Sequence, residues 1–304
     1  MAIKQVQATI NGQTYTLVLN NNTGNYEATI TAPSKSSYPL EGHYYGVSVK
    51  ATDDAGNVTT ADQNHVTLGE GLRLKVKEKV APVIVVTYPT ANAVISNNKP
   101  TITFKVTDDD SGVNPATIGV TIDSGNKITG DKIVKSKVAG GYECTFVPDT
   151  ALNDGQHTIR VDTSDFDGNA ATQKSVIFKV DTVPPTLTVT SPTEGMVTNN
   201  ASITVSGKTN DATSSPVTVT IKLNNGNAEN AEVGESGDFS KQITLSQGIN
   251  TIVITATDSA GKRTEITRTV TLNTSAPIIS KITLNPNPVD AGKTFIIAVT
   301  VTDT

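Results

Sequence analysis

The stretch VKATDDAGN (residues 49–57) returns as VDTSDFDGN (161–169) and again as ITATDSAGK (254–262). Each copy closes an alternating run on an acidic, glycine-containing turn: Val47 and Val49, Ile159 and Val161, Ile252 and Ile254. A period of two sets those apolar side chains on one face of a strand, and Asp, Asn and Gly supply the turn that follows. Beyond each turn another strand runs to a proline, in LRLKVKEKVAP (72–82), SVIFKVDTVPP (175–185) and RTVTLNTSAP (268–277). New β-branched runs then begin: VIVVTYP (83–89), TLTVTSP (186–192) and IISKITLNPNP (278–288). The chain is a repeat of strand-and-turn units.

Composition agrees. The 304 residues are 36% hydrophobic and 4% aromatic, without tryptophan. Thr, Val, Asn, Ile and Gly dominate, which favours short strands with polar turns over amphipathic helices. Further alternation supports this in Ile102, Phe104 and Val106, in Tyr142, Cys144 and Phe146, and in Ile203 with Val205. Short strands broken by turns roughly every 8–12 residues predict an all-β chain of tandem sandwiches. The proline-bearing segments KVAPV, DTVPPT and NTSAPI predict stiff joints and an extended rod. A net charge of −5 excludes nucleic acid as the expected partner. One cysteine excludes a disulfide framework. No apolar run approaches the roughly 20 residues of a membrane-spanning helix. The opening MAIKQVQATING has no apolar core of a signal peptide, so synthesis in the cytoplasm without a secretory signal is expected.

Units that open on a proline and β-branched strand and close on TDxAGN resemble bacterial immunoglobulin-like domains. Ala51–Asn57 fits that ending well, Thr163–Asn169 loosely, and Ala256–Lys262 has Lys262 where Asn is expected. The resemblance covers nearly the whole chain and implies Ig-like sandwiches. Such modules occur in surface adhesins, as spacers of secreted hydrolases, and in phage or prophage tail fibres.

The repeat lengths point to a sandwich split between the two ends. Asp165 lies 83 residues beyond Pro82 and Asp258 lies 73 beyond Pro185, whereas Asp53 has only 52 residues before it. The 27 residues after Pro277 and the 53 up to Asp53 together make 80, between the two complete units. KTFIIAVTVTDT (293–304) parallels KPTITFKVTDDD (99–110), and IKQVQATINGQ (3–13) parallels ATIGVTIDSGN (116–126). The expected organisation is an incomplete domain lacking its first two strands at 1–79, full Ig-like domains at 80–182 and 183–274, and a donated strand pair at 275–304; the alternatives are a chain cut inside a domain and a segment Ser275–Thr304 that packs on its own third unit. Ile282, Leu284, Phe295, Ile297, Val299 and Val301 are the expected donor residues. Val6, Ala8 and Ile10 lie on the expected acceptor strand, beside an open edge. Burying Phe295, Ile297, Val299 and Val301 is worth about 1.5–3 kcal/mol each.

Acidic loops are the candidate metal ligands. Asp165, Asp167 and Asn169 alternate around Gly168, and Asp108, Asp109 and Asp110 end a strand; a structural Ca²⁺ is the one cofactor considered. Asp53, Asp54 and Asn57 form a third such turn, and turn geometry alone also explains all three. Tyr38, Tyr44 and Tyr45, three of the seven tyrosines, are candidate glycan contacts; Tyr45 also suits a tyrosine corner. Cys144 reads as a buried thiol, and His157 as a strand-start residue equivalent to Tyr45 and Asn250. His43 and His65 are distant in sequence, and no catalytic triad, HExxH or phosphate loop is present, so no enzymatic activity is expected.

The expected function is a non-enzymatic structural protein that assembles head-to-tail with copies of itself by β-strand complementation. The result is a filament or a phage-tail-like fibre, carried on a virion or outside the cell after lysis. Other tail or surface proteins and a cell-surface glycan are further expected partners. The alternatives are a carbohydrate-binding cell-surface adhesin and a passive spacer of a larger secreted protein.

Overall fold

The computed structural model describes residues 2–303. Strands and three short 3-10 turns make up the regular structure, and no helix among the described residues is long and apolar enough to cross a membrane. The chain divides into two compact units: the first comprises the chain up to Ala93 with Asn98–Lys179, the second Val94–Asn97 with the chain from Val180 onward.

The first unit begins with one sheet. Its order is Asn25–Glu27, Gln13–Asn20, Ile3–Ile10, Tyr45–Asp53, Val58–Ala61, with Arg73–Leu74 also pairing onto Tyr45–Asp53. Asn11 and Gly12 both have positive φ (47° and 75°), the two-residue turn that matches strand twist in a hairpin. That hairpin sets Val6 opposite Leu17 and Ala8 opposite Tyr15 on one apolar face, continued by Val47 and Val49. Val6 and Ala8 are buried, but Val47 and Val49 only half so.

A two-sheet sandwich follows. One sheet runs Val134–Val138, Gly141–Phe146, Ile102–Thr107, Val83–Tyr88. The facing sheet holds Gly119–Ile122, Gly155–Asp162 and Lys174–Val180. Ile102, Phe104 and Val106 from the first and Val120, Ile159, Val161 and Phe178 from the second are wholly buried. Ile159 and Val161 repeat the positions of Val47 and Val49; a covering sheet separates the two cases. A Cβ on Gly141 would lie 2.0 Å from the Val106 carbonyl oxygen, so only glycine allows these strands to close.

In the second unit the third domain is one continuous eight-stranded sheet. Its order is Thr186–Ser191, Ser202–Asn210, Asp238–Thr244, Ala228–Val233, Thr218–Leu223, Gly248–Thr257, Arg263–Leu272, Met196–Thr198. Ala228–Val233 joins both halves, since it pairs with Thr218–Leu223 and with Asp238–Thr244. Its core contains Val205, Val219, Phe239, Ile252, Ile254, Val270 and Leu272.

The chain ends in a hairpin of Ile278–Asn285 and Ile296–Thr302. Ile282 faces Val299 and Leu284 faces Ile297 across it. Every described residue from 274 on is exposed. Ile297, Val299 and Val301 are 59%, 48% and 53% exposed, while Ile102, Phe104 and Val106, their counterparts when the shared Val-Thr-Asp of 301–303 and 106–108 is aligned, are 0% exposed. The remaining expected donors, Leu284 and Phe295, are exposed as well.

One expectation is corrected. The strand that carries Val6, Ala8 and Ile10 has no open edge, because Gln13–Asn20 and Tyr45–Asp53 occupy both sides of it. The Asn11-Gly12 turn returns the chain onto the same sheet, where a longer connection would have carried it to a facing one. These side chains meet a second layer only through the sheet face.

Candidate functional site

The acidic turns owe their geometry to a recurring hydrogen-bond pattern. In the second domain Asp165 is 1% exposed, and its Oδ1 accepts the Asn169 backbone N–H at 2.7 Å. The Asn169 side-chain amide donates to Asp165 Oδ2 at 2.7 Å and to the Glu78 carbonyl at 3.2 Å. The first domain repeats this with Asn57 and Asp53 at 2.8 and 2.9 Å. Hydrogen bonds from the Asn57 side chain, then its backbone, hold the Asp53 carboxyl below the usual range. In the third domain the Lys262 N–H reaches Asp258 Oδ1 at 2.9 Å, but lysine has no side-chain amide to return, and Asp258 Oδ2 has no hydrogen-bond partner among the described residues.

Two sets of three acids converge. Glu78, Asp108 and Asp165 bring carboxylate oxygens within 4.8 Å of one another, and so do Asp181, Asp211 and Asp258. Both sets draw one acid from the segment that enters the domain, one from just beyond a central strand (Ile102–Thr107 or Ser202–Asn210) and one from the repeated turn. The first two are 30 residues apart in each set, Glu78 to Asp108 and Asp181 to Asp211. Like charges at that separation repel by roughly 3–4 kcal/mol per pair at an effective dielectric of about 20.

Donors tie each acid in place. Asp108 Oδ1 accepts from the Gly112 and Asp110 backbones at 2.7 and 3.1 Å, and Glu78 Oε1 from Ser111 at 2.7 Å. In the third domain Asp211 Oδ1 accepts from Ser214 and Thr213 at 2.7 and 2.8 Å. Burial raises the Asp211 pKa, but the Ser214 and Thr213 N–H groups, together with Asp181 and the Ser214 hydroxyl, outweigh it and the net shift is downward. Asp181 accepts the Val183 N–H at 3.1 Å and the Ser214 hydroxyl.

Of the expected ligands, the structure brings Asp108 and Asp165 together. Asn169 serves as the donor to Asp165. Asp110 instead accepts the Ser36 N–H at 3.0 Å, Asp167 accepts the Glu78 N–H at 3.0 Å, and Asp109 is exposed. Sequence reasoning missed Glu78 and the whole Asp181, Asp211, Asp258 set. The signal was available in the recurring 30-residue interval.

The tyrosines are engaged within the chain. Tyr38 stacks on His43 and on Phe166, with centroids 4.3 and 4.2 Å apart. The Tyr45 hydroxyl donates to the Lys35 carbonyl at 3.2 Å, and the Arg73 guanidinium lies 5.2 Å from the Tyr44 ring centre. His157 is buried between Asp123 and the Asn153 carbonyl, at 2.8 and 2.7 Å, as Asn250 is held by the Ser246 carbonyl at 2.7 Å.

Residues 88–182 match the bacterial Ig-like domain family, and residues 185–274 match domain B of glucodextranase. Bacillopeptidase F of Bacillus subtilis (strain 168) is 30% identical over 200 residues, covering 66% of this chain but only 12% of that protein. The fibronectin(III)-like modules of Clostridium thermocellum CbhA align at 15% identity, over 63% of this chain and 94% of theirs, with a TM-score of 0.41. Immunoglobulin domains 1–5 of Sidekick-1 align at 15% identity, over 91% of this chain and 56% of theirs, with a TM-score of 0.37. The chain is all-β and built of tandem β-sandwiches, and residues 88–182 match the bacterial Ig-like domain family.

Proposed function

We propose that the chain is a non-catalytic spacer that extends itself by completing one Ig-like sandwich from two copies. The C-terminal hairpin of one copy lies on the apolar face of the N-terminal sheet of the next. The observation that carries this reading is the register of the exposed hairpin. Ile297, Val299 and Val301 stand where Ile102, Phe104 and Val106 fill the core of a complete sandwich. The half-buried Val47 and Val49 stand where Ile159 and Val161 face that same layer. Burial of such side chains favours the union by about 1.5–3 kcal/mol each, before the cost of association.

A head-to-tail contact is heterologous, so it propagates into a filament unless a ring closes. A phage-tail-like fibre, outside the cell after lysis, is a setting that suits it. Multi-angle light scattering over a concentration series tests the assembly, comparing the full chain with one ending at Thr274. Mass growing with concentration in the full chain alone supports it; a monomeric full chain at every concentration refutes it.

The match to 12% of Bacillopeptidase F favours a second reading, a passive spacer within a larger protein. An antibody against the third domain that detects a product much longer than 304 residues in the native cell supports that reading.

A further inference from the structure

We propose that Asp181, Asp211 and Asp258 form a binding site for a hard divalent cation of the calcium class, where the chain enters the third domain. Asp181, Asp211 and Asp258 are 1%, 8% and 6% exposed, and each offers an oxygen within 4.8 Å of the others. Oxygens bound to one Ca²⁺ at about 2.3–2.6 Å span up to twice that distance, so a single ion can bridge this set. The independent observation is Asp258 Oδ2, a buried carboxylate oxygen without a hydrogen-bond partner among the described residues. Buried carboxylate oxygens are normally satisfied, and a cation satisfies this one while neutralising the repulsion of the other two.

The second domain shows what the third lacks. There Asn169 satisfies the equivalent oxygen of Asp165 with its side-chain amide, whereas Lys262 leaves Asp258 Oδ2 available to an ion. The Ser214 hydroxyl, which contacts Asp181, adds a neutral oxygen at the rim. The site does not depend on whether copies of the chain assemble.

Isothermal calorimetry of the chelator-treated full chain with CaCl₂ tests the proposal, alongside scanning calorimetry with and without the ion. Expected are saturable binding and an upward shift of one thermal transition, both lost in Asp258→Asn. Lys262→Asn supplies the missing amide, so it keeps the fold and weakens Ca²⁺ binding at least tenfold. Asp108→Asn, in the second domain, leaves that binding intact. Absence of saturable heat and of any thermal shift at millimolar Ca²⁺ overturns the proposal. So does binding that Lys262→Asn leaves unchanged, or that Asp108→Asn removes.

Discussion

Replacing Asn169 with alanine deletes two hydrogen bonds from the repeated turn, those to Asp165 Oδ2 at 2.7 Å and to the Glu78 carbonyl at 3.2 Å. The backbone bond to Asp165 Oδ1 survives, so the turn itself has no reason to change. Asp165 is buried, and water does not replace the lost donor. Leaving a buried acceptor unsatisfied costs about 1–3 kcal/mol, more when it is charged, so about 2 kcal/mol is expected. For a domain of this size each kcal/mol lowers Tm by about 4–8 °C, giving a fall of roughly 8–16 °C in one transition. Scanning calorimetry of the full chain in EDTA reads it. The repeats supply controls: Asn57→Ala exposes an already hydrated Asp53, and Lys262→Ala removes no side-chain bond to Asp258. Neither is expected to shift a transition resolvably. An equal fall in all three variants, or none in Asn169→Ala, refutes the argument that the side-chain amide holds the turn.

Phe104→Ala empties a wholly buried site between two sheets and is expected to cost about 3–5 kcal/mol, read as loss of one denaturation transition while the others persist. Burial pushes the Cys144 thiol up to about 11 from its ordinary 9.0, opposed by the charge of Lys135. The native state therefore keeps its proton to higher pH than the unfolded chain, and this contribution to stability is full below pH 9 and is lost as pH rises from 9 to 11. At pH 8 Cys144 is expected to resist a thiol reagent until denaturant is added; rapid labelling of the native chain contradicts its burial.

The strands and turns were legible in the sequence because their causes are local. Period-two alternation marks Ile102, Phe104 and Val106 as one buried face, and the repeated acidic turns mark where each module closes. The parallel of 293–304 with 99–110 likewise located an apolar stripe that lies exposed in the structure. Tertiary structure decided the rest. Whether Gln13–Asn20 joins the sheet of Ile3–Ile10 or faces it depends on how a hairpin packs, which alternation does not encode. Tyr38 meets Phe166 across 128 residues of chain, an encounter that only folding brings about. The acid triads are also non-local: Asp181, Asp211 and Asp258 lie 30 and 47 residues apart, and no segment of the chain holds two of them. That Asp258 keeps an unsatisfied oxygen follows from the lysine at position 262, visible in the sequence as a departure from the repeat. Its consequence exists only because packing buries the turn away from water, where a missing hydrogen bond is not replaced.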